Sequence, residues 1–168
     1  MPEEEVNSPL GLSLTWTSCQ TTYSHTAYVA SILERGKVTM ESILIVDDEA
    51  MIRENLKAYL EDEGLRVTAV ESGEEALRCV TSGCSFAVCI MDMRLPGMDG
   101  NASIRNLHAL CPDMKFIVHT GSSDYTLPSD LRKLGLNRAQ VYLKPLLDMA
   151  PLANAVRILV QRSRRYQG

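Results

Sequence analysis

The sequence lacks the features that mark several large classes of protein. No apolar run approaches the roughly 20 residues that a membrane-spanning helix needs, and the opening residues, MPEEEVNSP, are acidic where a signal peptide is positive. Basic charge is not in excess either, because 17 Lys and Arg stand against 21 Asp and Glu. We therefore expect a cytoplasmic protein with no membrane partner and no general surface for nucleic acid.

Cysteine is present, but not in a metal-binding pattern. The five cysteines are an odd number and form no CxxC pair, which argues against a zinc site and indicates reduced thiols, several of them in the core. The chain has 168 residues, of which 45% are hydrophobic. That is enough for one packed domain plus an extension.

The first 40 residues differ from the rest of the chain. They are rich in Ser and Thr, show no sustained period and hold the only tryptophan, Trp16. We predict a mobile N-terminal extension over 1–40, or a translation start upstream of a natural beginning at Met40, and the alternative is a docking segment anchored by Trp16. The folded domain is predicted over 41–163, with a C-terminal tail over 164–168.

Strand and helix patterns alternate five times after residue 40. The predicted strands are short apolar runs: SILIVD, LRVTAV, FAVCIMD, KFIVHT and QVYLK. Helical spacing follows each of them; after the first strand, Ile52, Leu56 and Leu60 share one face. Five such units predict an α/β fold with a doubly wound, five-stranded parallel sheet and helices on both faces. Continuous apolar strands fit burial on both sides.

Polar side chains that suit one kind of chemistry follow four of the five strands. They are Asp47 and Asp48 after the first strand, Asp92 after the third, Thr120 after the fourth and Lys144 after the fifth. Each has an ordinary explanation; Asp48, for example, could cap the first helix. Because the carboxyl ends of parallel strands lie at one edge of a sheet, where ligands bind, we expect these residues to form one site.

The chemistry of this set indicates phosphoryl transfer. Close carboxylates need a compensating cation, and hard oxygen ligands favour Mg²⁺ or a similar ion that also binds phosphate. Lys144 and Thr120 could then contact phosphoryl oxygens. One of the acids could itself be the nucleophile and form an aspartyl phosphate.

The segment from about residue 40 to 162 resembles the receiver domain of two-component response regulators. The resemblance is carried by ILIVDDE, IMDMRLPGMDG, HTGSS and YLKP. It implies a flavodoxin-like fold with strand order 2-1-3-4-5 and a cis peptide bond before Pro145. The implied site residues are Asp92 as phosphoacceptor, Thr120 as switch hydroxyl, Lys144 as phosphoryl contact, and Asp47, Asp48, Asp92 and the Arg94 backbone carbonyl as ligands of Mg²⁺ or Mn²⁺.

The resemblance also implies partners. The phosphoryl donor would be a sensor histidine kinase or a histidine phosphotransfer protein in a phosphorelay, and a downstream protein would bind the fourth-helix and fifth-strand face. Such a domain assists its own phosphorylation and dephosphorylation but is not an enzyme for another substrate. It would be a monomer or a phosphorylation-dependent dimer. The alternative is a phosphorylation-independent protein-interaction module with the same fold.

One position departs from the usual receiver pattern, and two others need a structural assignment. Receivers usually carry an aromatic residue three positions before the lysine, but that position is Val141 here, and Tyr142 follows. Either a bulge corrects the register, or coupling runs without the usual aromatic. Pro128 must lie near a helix start. Glu49 is assigned to the start of the first helix and not to the metal ligands.

Overall fold

The computed structural model describes residues 42–165, and their strands form one parallel sheet. The strands are β1 Ser42–Val46, β2 Arg66–Val70, β3 Val88–Met91, β4 Lys115–Thr120 and β5 Val141–Leu143. Their order is β2-β1-β3-β4-β5, and every neighbouring pair is parallel. The predicted sheet and strand order are therefore confirmed. The predictions for residues 1–40 lie outside the described residues.

Helices connect the strands at the predicted places. They are α1 Ala50–Asp62, α2 Gly73–Thr81, α3 Gly100–Leu110, α4 Ser129–Lys133 and α5 Ala150–Arg165, with a short 3-10 turn at Arg138–Gln140. Pro128 immediately precedes α4, as expected for a residue that fits a helix only at its start. Helix α5 continues into the predicted tail. None of the described helices is long and apolar enough to cross a membrane.

The sheet is covered on both faces by apolar side chains. On one face, Leu44 and Val46 of β1 pack with residues of α2, α3 and α4; on the other, Ile43 and Ile45 pack with residues of α1 and α5. All four side chains are essentially inaccessible to water, and burial of each contributes about 1.5–3 kcal/mol. The end of β1 is thus held firmly from both sides, and so is the residue that follows it, Asp47.

Gly100, the first residue of α3, lies against the backbone that carries Asp92. A Cβ atom on Gly100 would lie 2.1 Å from the Asp92 carbonyl oxygen and 2.7 Å from the Met93 Cα. Because these are backbone atoms, they cannot rotate away. We expect Gly100→Ala to lower the free energy of unfolding by about 3 kcal/mol in urea titrations.

Gly121 offers the matched control for this substitution. It follows Thr120, and a Cβ atom added to it would meet no atom within 4 Å beyond its own chain neighbours. Its φ is also outside the left-handed region. Gly121→Ala should change the free energy of unfolding by no more than about 0.5 kcal/mol. Equal losses in the two variants would show that the close approach at Gly100 does not matter.

Candidate functional site

Three carboxylates meet at the carboxyl edge of the sheet. Asp47 follows β1, Asp92 follows β3 and Glu49 directly precedes α1, and one oxygen of each lies within 4.8 Å of the others. Asp47 and Asp92 are nearly buried, with exposed fractions of 2% and 4%. Such a group of acids is stable only with positive charge close by.

Lys144 supplies that charge from the end of β5. Its Nζ lies 2.8 Å from Asp47 Oδ2, 2.8 Å from Asp92 Oδ2 and 3.1 Å from Glu49 Oε1. Its backbone N–H donates to the Thr120 carbonyl oxygen at 2.8 Å, which ties it to β4. The Lys144–Pro145 peptide bond is cis, as expected. One ammonium therefore forms ion pairs with three carboxylates.

The two buried carboxylates are held in the same way. Asp47 Oδ1 accepts a hydrogen bond from the Glu49 N–H at 3.0 Å, and Asp92 Oδ1 accepts one from the Arg94 N–H at 3.1 Å. In each case the turn after the strand fixes one oxygen, and Lys144 contacts the other. The orientation of both carboxylates is therefore set before any ligand binds.

Burial and charge act in opposite directions on the pKa values here. Burial raises the pKa of the Asp47 carboxyl above its ordinary value, although Lys144 opposes this. Burial alone would lower the pKa of Lys144, but its hydrogen bonds to Asp47 and Asp92 raise it instead. Lys144 therefore stays charged at neutral pH, and the cluster favours further positive charge.

Glu49, expected only at the start of the first helix, takes a place in the cluster. It is the N-cap residue of α1 by position, but its side chain makes no capping hydrogen bond among the described residues. A long acidic side chain is a poor N-cap, since short ones reach the first N–H groups better. A long acidic residue at the N-cap position was therefore the one sign in the sequence that the Glu49 side chain could have another role. Asp48 is exposed and is not among the three clustered carboxylates, so its role as a metal ligand stays a prediction, as does that of the Arg94 carbonyl.

Thr120 lies at the same edge and is fully buried. Its Oγ1 accepts a hydrogen bond from the Ser122 N–H at 3.2 Å, and its carbonyl oxygen accepts from Lys144. The structure thus brings together Asp47, Asp92, Thr120 and Lys144 from the predicted set. Clustered carboxylate oxygens, with one ammonium among them, suit a small hard cation such as Mg²⁺.

Comparison with known proteins gives the family. The family model of the response regulator receiver domain matches residues 43–157. The chain belongs to the response regulator receiver domain family. Among its relatives, the transcriptional regulatory protein FixJ of Azorhizobium caulinodans is 34% identical over 122 residues, which cover 71% of this chain and 54% of FixJ. The regulator AruR of Pseudomonas aeruginosa is 32% identical, with 74% and 51% covered. This receiver chain thus spans about half the length of either relative.

Solved receiver structures have the same fold. The response regulator TrrA from Thermotoga maritima, in complex with Mg²⁺-BeF, is 34% identical, has a TM-score of 0.60 and matches over 71% of this chain and 98% of its own. A receiver domain from Clostridium thermocellum is 30% identical with a TM-score of 0.64, and the match covers 75% and 98%. The resemblance seen in the sequence motifs is confirmed.

The register of β5 decides between the two interpretations of Tyr142. Strands β4 and β5 pair continuously, with Val118 opposite Val141 and His119 opposite Tyr142. Val141 packs on the α2–α4 face of the sheet, and Tyr142 packs on the α1 and α5 face, where its hydroxyl donates to the Pro151 carbonyl at 3.3 Å. No bulge exchanges the two faces, so this receiver lacks an aromatic at the usual position.

Another tyrosine lies on the face that Val141 occupies. Tyr125, in the β4–α4 connection, packs against the same apolar cluster as Val141, and its hydroxyl donates to Asn101 Oδ1 of α3 at 2.9 Å. A second link joins Arg105 Nε of α3 to Asp130 Oδ2 of α4 at 2.5 Å. The segment that follows Thr120 is therefore attached to α3 at two points.

His119 is a buried residue beside the site that the sequence did not single out. It is 4% exposed, and neither ring nitrogen has a hydrogen-bond partner within residues 42–165. It borders a cavity of about 180 Å³, together with Asn55, Leu146 and Lys144. Burial, with the positive charge of Lys144 as a smaller cause, lowers the pKa of His119 to about 4. The imidazole is therefore neutral at pH 7.

Replacing His119 should weaken the acid sensitivity of the domain. The unfolded chain takes up a proton on this residue near pH 6.5, and the folded chain only near pH 4. Stability is therefore lost as pH falls between these values. His119→Leu should reduce that loss by up to about 3 kcal/mol in urea titrations from pH 7 to 4. Asn55→Leu, in the same cavity but without a titrating group, should keep the wild-type slope. Parallel curves for His119→Leu and wild type would refute this account.

Proposed function

We propose that this receiver accepts a phosphoryl group on Asp92 from a phosphohistidine of a sensor kinase or a histidine phosphotransfer protein. The observation that carries the proposal is the pair of buried carboxylates, Asp47 and Asp92, that share one ammonium at 2.8 Å each. Buried acids in this arrangement are costly to the fold. Their placement at the carboxyl edge of the sheet, where ligands of such folds bind, supports a role in chemistry.

The transfer is a single displacement at phosphorus. An oxygen of Asp92 attacks, the new oxygen–phosphorus bond forms as the bond from phosphorus to the donor imidazole nitrogen breaks, and that nitrogen takes up a proton from solvent. Asp92 Oδ1 stays on the Arg94 N–H, which leaves Oδ2 as the attacking atom. Lys144 moves its hydrogen bond from this oxygen to the transferring group and neutralises charge there. The product is an aspartyl phosphate.

The site fits Mg²⁺, or Mn²⁺, as its metal. Asp47, Glu49 and Asp92 place their oxygens close enough together to hold a dication, with Asp48 and the Arg94 carbonyl as the further proposed ligands. The bound ion supplies neutralisation of the phosphoryl oxygens. The Mg²⁺-BeF complex of the Thermotoga maritima relative supports this assignment.

The phosphorylated state acts through the β4–α4 connection. Thr120 Oγ1 leaves the Ser122 N–H and donates to the phosphoryl group, which shifts the following segment that carries Tyr125. A downstream protein then binds the α4 and β5 face. The receiver is a monomer or dimerises on phosphorylation. We propose that phosphorylation and partner binding take place in the cytoplasm. No aromatic of β5 takes part, because Tyr142 faces α5.

The test is phosphorylation of the full chain, followed by intact mass. The protein is incubated with Mg²⁺ and acetyl phosphate, and in parallel with phosphoramidate, which has the phosphorus–nitrogen bond of a phosphohistidine. We expect one added phosphoryl group, none in excess EDTA, and removal by hydroxylamine, as for an acyl phosphate. Amide chemical shifts should change most over residues 120–133. A folded protein that gains no mass from either donor would refute the proposal and favour the phosphorylation-independent interaction module.

A further inference from the structure

Arg53 contacts the turn that follows β1 through the backbone of Asp47 and not through its carboxylate. Its Nη1 donates to the Asp47 carbonyl oxygen at 2.7 Å. Its own N–H donates to the Glu49 carbonyl oxygen at 3.0 Å, within the first turn of α1. The side chain is only 14% exposed, so the guanidinium is held against the turn and does not extend into solvent.

This placement is not explained by ordinary helix electrostatics. A cation near the N-terminus of a helix is unfavourable, because the positive end of the helix dipole lies there. The ion pair that Arg53 forms within the described chain is with Glu54, and its 4.0 Å separation is long. The shortest contact of the guanidinium is therefore with a backbone carbonyl, and that carbonyl belongs to a residue of the site.

The contact completes the restraint of Asp47. Its N–H donates to the Val70 carbonyl at 3.2 Å, and its Oδ1 accepts from the Glu49 N–H at 3.0 Å. Arg53 holds the remaining polar backbone atom, the carbonyl oxygen. The peptide unit after this carbonyl leads to Asp48 and Glu49, so its orientation affects where these two side chains lie relative to Asp47.

We propose that Arg53 is a positioning residue for the metal site: it fixes the peptide between Asp47 and Asp48 and thereby raises the affinity for Mg²⁺. The inference rests on the proposed function for its choice of metal. Residues of this kind, which orient ligands without touching the ion, typically change metal affinity by 10–100-fold when replaced.

Two effects of Arg53 on a dication have opposite signs, and this makes the proposal testable. Its positive charge repels the metal, while its hydrogen bond orders the ligands. The guanidinium lies on the carbonyl of Asp47 and not on the carboxylates, whose oxygens contact Lys144. Order therefore outweighs repulsion, and loss of Arg53 weakens binding. If repulsion prevailed, removal of the charge would tighten it.

The experiment measures Mg²⁺ affinity of the full chain by calorimetry, without a phosphoryl donor. Arg53→Met should weaken binding about 10-fold. Arg53→Lys, which keeps the charge and can make a single hydrogen bond, should lie between Arg53→Met and wild type. Glu54→Gln removes the ion-pair partner and should bind as wild type does. With acetyl phosphate, Arg53→Met should need more Mg²⁺ for half-maximal rate and reach the wild-type rate at saturation.

Other outcomes would overturn the inference, the proposed function or both. Arg53→Met that binds Mg²⁺ as tightly as wild type, or more tightly, would show a purely structural or electrostatic role, even if its melting temperature falls. If Arg53→Met does not fold, Arg53→Lys replaces it in the test. A Mg²⁺ affinity of Arg53→Lys equal to that of wild type would then contradict the positioning role. Wild type that binds no Mg²⁺ would overturn the inference and the proposed metal together, whereas wild type that binds Mg²⁺ but accepts no phosphoryl group would overturn only the proposed function.

Discussion

Asp92→Asn is expected to abolish phosphoryl uptake while leaving the domain folded. The amide has nearly the shape of the carboxylate, and its oxygen can still accept from the Arg94 N–H. It lacks the charged oxygen that attacks phosphorus, so no acyl phosphate can form. Intact mass after incubation with Mg²⁺ and acetyl phosphate should show only the unmodified chain.

The same substitution should not weaken the fold in metal-free buffer. Asp92 is 4% exposed, and its replacement leaves Lys144 with two carboxylates, so repulsion within the cluster decreases. The melting temperature should equal or exceed that of wild type. Asp113→Asn, at an exposed acid outside the site, should be phosphorylated normally. Phosphorylation of Asp92→Asn at the wild-type rate would place the acceptor elsewhere.

Lys144→Met should have the largest effect on stability at this site. The Lys144 side chain is 7% exposed, and its ammonium contacts three carboxylates, two of them buried. Removing one member of a buried ion cluster leaves charge uncompensated, which typically costs about 3–5 kcal/mol. We expect a loss of this size at pH 7 without metal, measured by urea titration, together with much slower phosphorylation.

Two conditions should return part of that stability. Burial already raises the pKa of the Asp47 carboxyl. Without the ammonium, protonation of this carboxyl as pH falls removes the uncompensated charge and stabilises the folded variant. The loss of stability in Lys144→Met should therefore be smaller at pH 5.5 than at pH 7. Mg²⁺ should reduce the deficit too, because it binds the folded state. Lys133→Met, at an exposed lysine of α4, should be nearly neutral. A deficit independent of both pH and Mg²⁺ would contradict the role of uncompensated charge.

The sheet and most of the site were predictable because their signals are local and strong. Strand β3 reads VCIM, which is apolar throughout since both of its faces are buried, and β1 and β4 contain the apolar runs ILIV and FIV for the same reason. Once the strands are parallel, the residues after them must lie at one edge, and Asp47, Asp92 and Lys144 do. The family motifs added the strand order.

The remaining features depend on side-chain geometry that no periodic pattern encodes. Glu49 joins the cluster because its longer side chain reaches Lys144, whereas the adjacent Asp48 is directed to solvent. The face of Tyr142 follows from continuous pairing of β4 with β5, which a one-residue bulge would have reversed. The unpartnered nitrogens of His119 depend on which polar groups from other elements come near. Such contacts are set by packing between distant segments.

The triple contact of Lys144 has a consequence for how the domain cycles. In the proposed function, an entering ion displaces the ammonium from the carboxylates, so its binding free energy is reduced by that of the Lys144 contacts it breaks. When the ion and the phosphoryl group depart, we expect the ammonium to return to its three carboxylate contacts. The Lys144 N–H bond to the Thr120 carbonyl oxygen ties the backbone of Lys144 to β4. The resting site thus has one ammonium in contact with three carboxylates, and an entering ion must break these contacts.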